Sequence, residues 1–360
     1  MSYRMKHSNS VDFMNNAGMD LASIMGELLA RGDGSAQFGE MLGNIEKVIG
    51  RHEFDWISRN GHGRLAEYVV ERFKFKTYPG MKKLGAFPLH LLIEPTSVCN
   101  LRCRMCFQSD GTFRTGKYWG MMDLGFFKHL VDQAVECGCK FLTLASRGEP
   151  TLHSRFGEML RYCRGKFLEL KINTNATRLD ERTSLEILEA GTDIVVFSVD
   201  SHSKEEYEGI RLGARFEEVL GNIRRFCELK GSKPEYAKTA TRVSGVYLGP
   251  GQSKGKFSDF WREVVDTVTM TDAVPRRDTY NNERMDFSMP CGLLWERMYV
   301  WHDGICNPCD FDYKSTLKVG DAKRRPLKDI WLGETYQKHR EMFLEGKRRL
   351  MTPCNRCNVY

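Results

Sequence analysis

From residue 87 onward the sequence alternates short apolar or β-branched runs with amphipathic segments, and no other feature restricts the fold as strongly. Runs at 87–94 (FPLHLLIE), 140–145 (KFLTLA), 168–173 (LELKIN), 193–199 (DIVVFSV) and 241–248 read as strands. Between and after them, 124–136, 154–164, 180–191, 215–229 and 257–265 read as helices. Asp180 is placed to cap the third of these helices and Gly191 to end it, and Ser203-x-x-Glu206 has the form of a capping box for a further one. Strands joined through helices lie parallel and cross over right-handed. Five or six such units are too few for a closed eightfold barrel. The expectation is therefore an α/β fold built on a partial (β/α)6 TIM-type barrel, with functional groups on the loops after the strands' C-terminal ends.

On either side of this region the pattern differs. Residues 1–86 read as a helical extension: 19–29 and 65–75 carry apolar residues at helical spacing, and Gly32-Asp33-Gly34-Ser35 marks a loop. Residues 285–360 drop the alternation. They show a hairpin signal at Asp303-Gly304, cysteine-rich loops, and helices near 326–332 and 334–343, the marks of a small α+β module. The expected divisions are thus 1–86, 87–284 and 285–360. No apolar run approaches the ~20 residues needed to span a bilayer, and the N-terminus lacks the apolar centre of a secretory signal. The expected setting is the cytoplasm, with no membrane partner. The net charge of +7 includes only short basic runs, Lys323-Arg324-Arg325 and Lys347-Arg348-Arg349, which fit solvated helix faces and argue against a nucleic-acid partner.

Twelve cysteines in a reducing compartment point to metal or redox sites rather than disulfides. The first group, Cys99-Asn-Leu-Arg-Cys103-Arg-Met-Cys106, follows directly on the first strand. A [4Fe–4S] cube normally takes four thiolates. Three on one loop leave one iron open to substrate or cofactor, as catalytic zinc keeps an open position. Spacing alone leaves a zinc loop as an equal reading; the place at the end of the first barrel strand favours the cluster.

In that place the C-x3-C-x2-C spacing resembles the radical S-adenosylmethionine (radical SAM) family, and the resemblance extends over roughly residues 87–357. It implies that Cys99, Cys103 and Cys106 hold a [4Fe–4S] cluster whose open iron chelates the amino and carboxylate groups of S-adenosylmethionine (SAM). Reductive cleavage of SAM then gives a 5′-deoxyadenosyl radical, with electrons from a reductant such as a flavodoxin or ferredoxin. Met105 stands where the family often has an aromatic residue. Ser146-Arg147-Gly148-Glu149-Pro150 resembles the Gly-Gly-Glu-Pro segment that holds the SAM amino group, with Gly148 and Glu149 in matching positions and Arg147 replacing the first glycine. Asn173 and Asn175 end the third strand and face the expected cofactor cleft. Ser198 and Asp200 end the fourth and resemble the segment that contacts SAM ribose or carboxylate. Arg211 offers a guanidinium to the carboxylate. Each of these residues alone reads as a turn or a cap. Their recurrence on successive strand ends behind a cysteine triplet argues for one cofactor site.

A second group, Cys291, Cys309, Cys354 and Cys357, closes on a C-x2-C pair, with Gly304 shortly before Cys309. This resembles the SPASM/twitch modules of radical SAM enzymes. No cysteine lies between Cys309 and Cys354, so the shorter twitch form with one auxiliary [4Fe–4S] cluster is implied, serving electron transfer. Four thiolates also suit a structural zinc ribbon, and Cys306 is a competing ligand. Cys137, Cys139, Cys163 and Cys227 read as small buried hydrophobes.

Gly249-Pro-Gly-Gln-Ser-Lys-Gly255-Lys256 fails the spacing of a phosphate-binding loop and reads as a strand-to-helix turn. His153 reads as a helix-entry or core residue, and no catalytic acid or base is identified. The expected reaction is hydrogen-atom abstraction from a small hydroxylated metabolite (a sugar, nucleotide sugar or aminocyclitol), which is oxidised or rearranged with the auxiliary cluster as electron relay. That expectation rests on resemblance to alcohol-oxidising aminocyclitol dehydrogenases of the twitch type, and to radical SAM proteins of surface-sugar pathways in the run from Asn175 to Arg211. The alternatives are a peptide- or protein-modifying radical SAM enzyme, of maturase or crosslinking type, and, from another class, a non-catalytic iron–sulfur or zinc-stabilised protein.

Overall fold

The computed structural model describes residues 48–60, 64–274, 278–285 and 288–357. The helix expected at 19–29 and the loop at 32–35 lie outside the described residues. The chain divides into two compact units at Leu84/Gly85.

In the first unit, α1 (Arg51–Asn60) and α2 (Leu65–Met81) pack through Trp56 and Tyr68, whose rings stack at 3.7 Å and 6°. Glu53 is buried between them and ion-paired to Arg72 at 2.7 Å and Lys76 at 2.8 Å. Burial alone raises a carboxyl's pKa, but Arg72 and Lys76 outweigh it here and hold Glu53 down at about 2. Burial pushes Lys76 itself below its ordinary range, so Arg72 is the firmer partner.

The second unit begins with β1 (His90–Ile93) and β2 (Arg102–Cys103), then α3 (Leu124–Glu136), β3 (Phe141–Leu144), α4 (Phe156–Cys163), β4 (Glu169–Thr174), α5 (Glu181–Glu189) and β5 (Ile194–Ser198). It continues through α6 (Lys204–Ile210), β6 (Arg211–Leu212), α7 (Phe216–Gly231), β7 (Ala240–Tyr247), α8 (Lys254–Arg262) and β8 (Thr267–Asp272). The C-terminal part supplies α9 (Leu293–Glu296), β9 (Arg297–Val300), β10 (Ile305–Asn307), β11 (Gly320–Asp321), α10 (Leu327–Trp331) and α11 (Glu334–Leu344).

One nine-stranded sheet runs β11-β10-β9-β1-β3-β4-β5-β7-β8. From β9 to β8 every pairing is parallel, and β10 and β11 add antiparallel at one edge. The strands β1, β3, β4, β5, β7 and β8 form the expected partial six-stranded α/β array. Their helix-facing residues are identified by contact: Phe197 meets Phe226 of α7, and a Cβ on Gly245 would collide with Phe257 of α8. The opposite, concave face carries Ile194, Val196 and Ala240 as one cluster. Register extends that face to Lys171, Asn173, Ser198, Arg242 and Ser244, all half-buried.

Three expectations change. The sixth strand, β8, was not read from its sequence TVTMTD, whose outer threonines are exposed at the sheet edge. The C-terminal module is not a detached body, because β9 pairs with β1 and extends the same sheet, placing residues 85–360 in one unit. The capping box does not form. Ser203 is the N-cap of α6 but makes no side-chain cap; Glu206 instead receives the Ser201 hydroxyl, and Ser201 Oγ accepts the Ser203 N–H at 3.0 Å. A hydroxyl two residues earlier competes for the same groups in a local turn. By contrast Asp180 caps α5 through the Thr183 N–H at 2.8 Å, and Gly191 takes the left-handed φ of +66° that ends it. The stretch at 249–256 is a turn into α8, capped by Ser253.

Candidate active site

The parallel strands end on one side of the sheet, and the loop carrying Cys99, Cys103 and Cys106 leaves β1 there. Part of that loop is fixed by β2, which pairs antiparallel with β6 and sets Cys103 opposite Arg211. The Arg104 N–H also donates to the Ile210 carbonyl at 3.0 Å. Neither two-residue strand has a sequence signal, and this pairing is the first part of the site that sequence reasoning missed.

The stretch preceding Cys99 packs on Gly148. A Cβ at Gly148 would overlap the backbone of Thr96, Ser97 and Val98, so only glycine fits. The next amide, that of Glu149, donates to the Val98 carbonyl at 2.8 Å. Glu149 is buried and collects donors from the neighbouring strand end. Its Oε1 accepts from the Thr151 N–H (3.2 Å), Thr151 Oγ1 (2.7 Å) and Thr174 Oγ1 (2.7 Å). Among the described residues its Oε2 accepts only the Asn175 N–H, at 2.6 Å. A carboxylate oxygen has two lone pairs, so Oε1 is filled and Oε2 retains room for one cationic donor. Burial raises the Glu149 pKa despite these bonds. Asn175 Nδ2 donates to Asn100 Oδ1 at 3.0 Å and lies 4.0 Å from Cys99 Sγ. Glu149, Asn175 and Cys99 are therefore one group.

Asp200 and Arg211 form a second group with Cys103. Arg211 Nε is 2.7 Å from Asp200 Oδ2, and its Nη1 donates to Cys103 Sγ at 3.8 Å. Asp200 and Arg211 thus face each other and a cysteine sulfur. Ser198 and Asn173 lie on the concave face and, among the described residues, share no side-chain hydrogen bond with either group. Asn173 Oδ1, near the end of β4, and Ser146 Oγ, just beyond β3, are buried atoms without a hydrogen-bond partner among the described residues, which fits a cleft that receives a polar ligand. Beside the triplet, Met105, Ile210, Leu248 and Gln252 line a solvent-open pocket in which no lining residue is aromatic.

Arg147 does not enter the cleft. The backbone turns at Ser146 (φ +138°), and the guanidinium forks onto Glu94 with Nε–Oε2 2.7 Å and Nη2–Oε1 2.6 Å. Nη1 donates to the Tyr313 carbonyl at 2.9 Å, and the Trp301 ring lies 4.2 Å away. His302 adds its backbone and Nδ1 to Glu94. Burial would raise Glu94, but Arg147 and His302 hold it at about 2. Phe107, next to Cys106, stacks on Tyr313 at 4.8 Å and 15°. The triplet loop and the loop after Cys309 are joined by these contacts, which the sequence did not announce. His153 is structural, as read: Nε2 meets the Met122 carbonyl at 2.8 Å and Nδ1 accepts the Arg155 N–H.

Cys291, Cys309, Cys354 and Cys357 line one cavity whose other walls are mostly apolar, among them Leu294, Phe311 and Phe343. Cys306 is on β10 against the Gly304 carbonyl and is not part of that lining. Among the described residues no three metal-ligating side chains converge on a point that a single ion would occupy. Four thiols lining one cavity are a donor set that suits an iron–sulfur centre. Burial raises Cys309 and Cys354, and it pushes Cys99 up to about 12. Metal binding at either group therefore releases protons. Of the remaining cysteines, Cys139 and Cys163 are buried, whereas Cys137 and Cys227 are only partly so.

Sequence comparison agrees with this geometry. A family model described as the radical SAM superfamily matches residues 93–263, and one described as an iron–sulfur cluster-binding domain, SPASM, matches 291–358. The chain is similar to the tungsten-containing aldehyde ferredoxin oxidoreductase cofactor-modifying protein of Pyrococcus furiosus (38% identity over 112 residues, 31% of this chain and 30% of that protein). It spans between 30% and 42% of the length of two curated relatives that it matches. Among solved structures, BtrN in complex with AdoMet and 2-DOIA shares the fold (TM-score 0.52, 20% identity, 76% of this chain and 94% of that one). So does Streptococcus suis SuiB bound to the precursor peptide SuiA (TM-score 0.58, 16% identity, 77% and 72%). No helix among the described residues is long and apolar enough to cross a membrane. With a parallel sheet that ends on a three-cysteine loop, a four-cysteine cavity joined to the same sheet, and both domain models matched in register with them, the chain belongs to the radical SAM superfamily, in its SPASM/twitch subgroup.

Proposed function

We propose that this chain abstracts a hydrogen atom from a small hydroxylated metabolite, a sugar, nucleotide sugar or aminocyclitol, and oxidises or rearranges it. Cys99, Cys103 and Cys106 would hold a [4Fe–4S] cluster with one open iron, and Cys291, Cys309, Cys354 and Cys357 an auxiliary cluster. When bound, the first cluster and SAM supply a 5′-deoxyadenosyl radical. The chain's own groups bind and orient. Glu149 Oε2, with its one remaining lone pair, receives the SAM ammonium. Gly148 lets the backbone come close, and Met105 and Leu248 offer apolar surface to the adenine. Cys291, Cys309, Cys354 and Cys357 would hold the auxiliary cluster, which would supply an electron acceptor for the substrate.

The observation that carries the substrate class is the concave face. Beside the Ile194–Val196–Ala240 cluster, Asn173 and Ser198 near the ends of β4 and β5, and Ser244 opposite Ser198 on β7, present an amide and two hydroxyls, half-buried, with Lys171 and Arg242 on the same face. Directed hydrogen bonds of this kind select hydroxyl-rich ligands. BtrN, whose structure contains 2-DOIA, shares the fold. A peptide substrate is the second reading, favoured by the peptide-bound SuiB structure. Turnover coupled to 5′-deoxyadenosine release, measured over a panel of sugars, nucleotide sugars, aminocyclitols and peptides, separates the two. Coupling with a hydroxylated small molecule is expected, and coupling with peptides alone would overturn the proposal.

A further inference from the structure

Arg211 is a buried guanidinium paired with the Asp200 carboxylate, and its Nη1 donates to Cys103 Sγ. Its place is determined twice, by the β2–β6 pairing that sets Arg211 opposite Cys103 and by the ion pair. Asp200 is itself anchored: Oδ1 accepts the Val246 N–H at 2.8 Å, and its carbonyl accepts from Gln252 Nε2 at 2.7 Å. Tyr207, fully buried one helical turn before Arg211, accepts the Arg211 N–H at its carbonyl, and its hydroxyl has no hydrogen-bond partner among the described residues. A rigid donor directed at one cysteine sulfur, a counter-charge that sets its strength, and an unused phenol O–H form an arrangement beyond what anchoring a loop requires.

We propose that Arg211, balanced by Asp200 and assisted by the Tyr207 hydroxyl, sets the reduction potential of the cluster on Cys99, Cys103 and Cys106. Hydrogen bonds to cluster sulfurs and local charge are established determinants of such potentials. Adding an electron makes the thiolates more negative, so a charged N–H donor on Cys103 favours the reduced form and Asp200 disfavours it. Arg211 is on this account a positioning and tuning residue for the electron-accepting state, in addition to any contact with SAM. The inference rests on the reading that the triplet ligates a [4Fe–4S] cluster.

The test is an anaerobic redox titration of the reconstituted full-length protein without SAM, followed by the electron paramagnetic resonance signal of the reduced cluster. A Cys354→Ala/Cys357→Ala background silences the second centre. Arg211→Lys, which loses the fork but keeps the charge, and Tyr207→Phe, which deletes one hydroxyl, are expected to shift the equilibrium toward the oxidised cluster. For Arg211→Lys the shift is about tenfold, or about 59 mV for one electron. Asp200→Asn is expected to move it the opposite way. Opposite signs from the two halves of one ion pair are not what a merely structural role gives. Unchanged potentials in Arg211→Lys and Asp200→Asn at full iron content overturn the inference alone. An iron content that does not fall when Cys103→Ala is made in the otherwise unmodified reconstituted protein overturns the cluster reading beneath it.

Discussion

At the scale of single residues, Arg147 shows how a departure from a family's pattern is explained by its contacts. In place of a glycine, the chain carries a guanidinium that leaves the cleft and pairs with Glu94, an acid at the end of β1 with 0% exposure. Removing one partner of a buried pair leaves the other charge uncompensated, which typically costs about 3–5 kcal/mol. Arg147→Gly, although it restores the family's residue, is expected to lower stability by about that amount in urea unfolding. A change below about 1 kcal/mol would mean that His302 alone satisfies Glu94. The neighbouring Gly148 and Glu149 behave as their motif indicates, because their roles are local. One is required by backbone approach to Thr96–Val98, the other by donors on the adjacent strand end. Local constraints of that kind are written in a few adjacent letters. The partners of Arg147, at positions 94, 302 and 313, are brought together only by the sheet, so no window of sequence contains them.

At the scale of elements, periodicity gave α3 to the residue and the middle strands within one or two positions, because apolar faces there are covered by helices and the patterns are clean. It failed at β8, where an edge strand keeps alternate threonines in solvent, and at β2 and β6, which are too short to have a period. The pairing of β9 with β1 was illegible for a different reason: parallel partners more than 200 residues apart leave no mark in the sequence between them. The helix pair α1–α2 supports a pH prediction. Glu53 has a pKa of about 2 in the folded unit against an ordinary 4.5, so its pairing stabilises fully above about pH 4.5 and is lost as pH falls toward 2. The shift corresponds to about 3 kcal/mol. Protection of the α1 amides against hydrogen exchange, corrected for intrinsic rates, should decline across that window. Glu53→Gln should be poorly protected throughout and lack the decline. An equal pH response in both proteins would assign the effect to other groups.

At the scale of the whole molecule, two cysteine centres share one sheet. The triplet follows β1, the quartet lies among the segments around β9 and β10, and β9 pairs directly with β1. Stacking of Phe107 on Tyr313 and the Arg147–Tyr313 bond add contacts between the two loops. The spacing of the cysteines was legible in the sequence; their arrangement in a continuous sheet was not. The two metal sites are expected to be separable. Cys354→Ala/Cys357→Ala should reduce reconstituted iron from about eight to about four per chain and leave SAM cleavage in place. Full loss of iron in that variant would show that the two sites assemble only together. The central claim is that Cys99, Cys103 and Cys106 hold the cluster that cleaves SAM. Its most direct test is the yield of 5′-deoxyadenosine from anaerobically reconstituted, dithionite-reduced protein given SAM. Production by the unmodified chain, abolished by Cys103→Ala, is the predicted result, and no 5′-deoxyadenosine from a fully iron-loaded chain would contradict it.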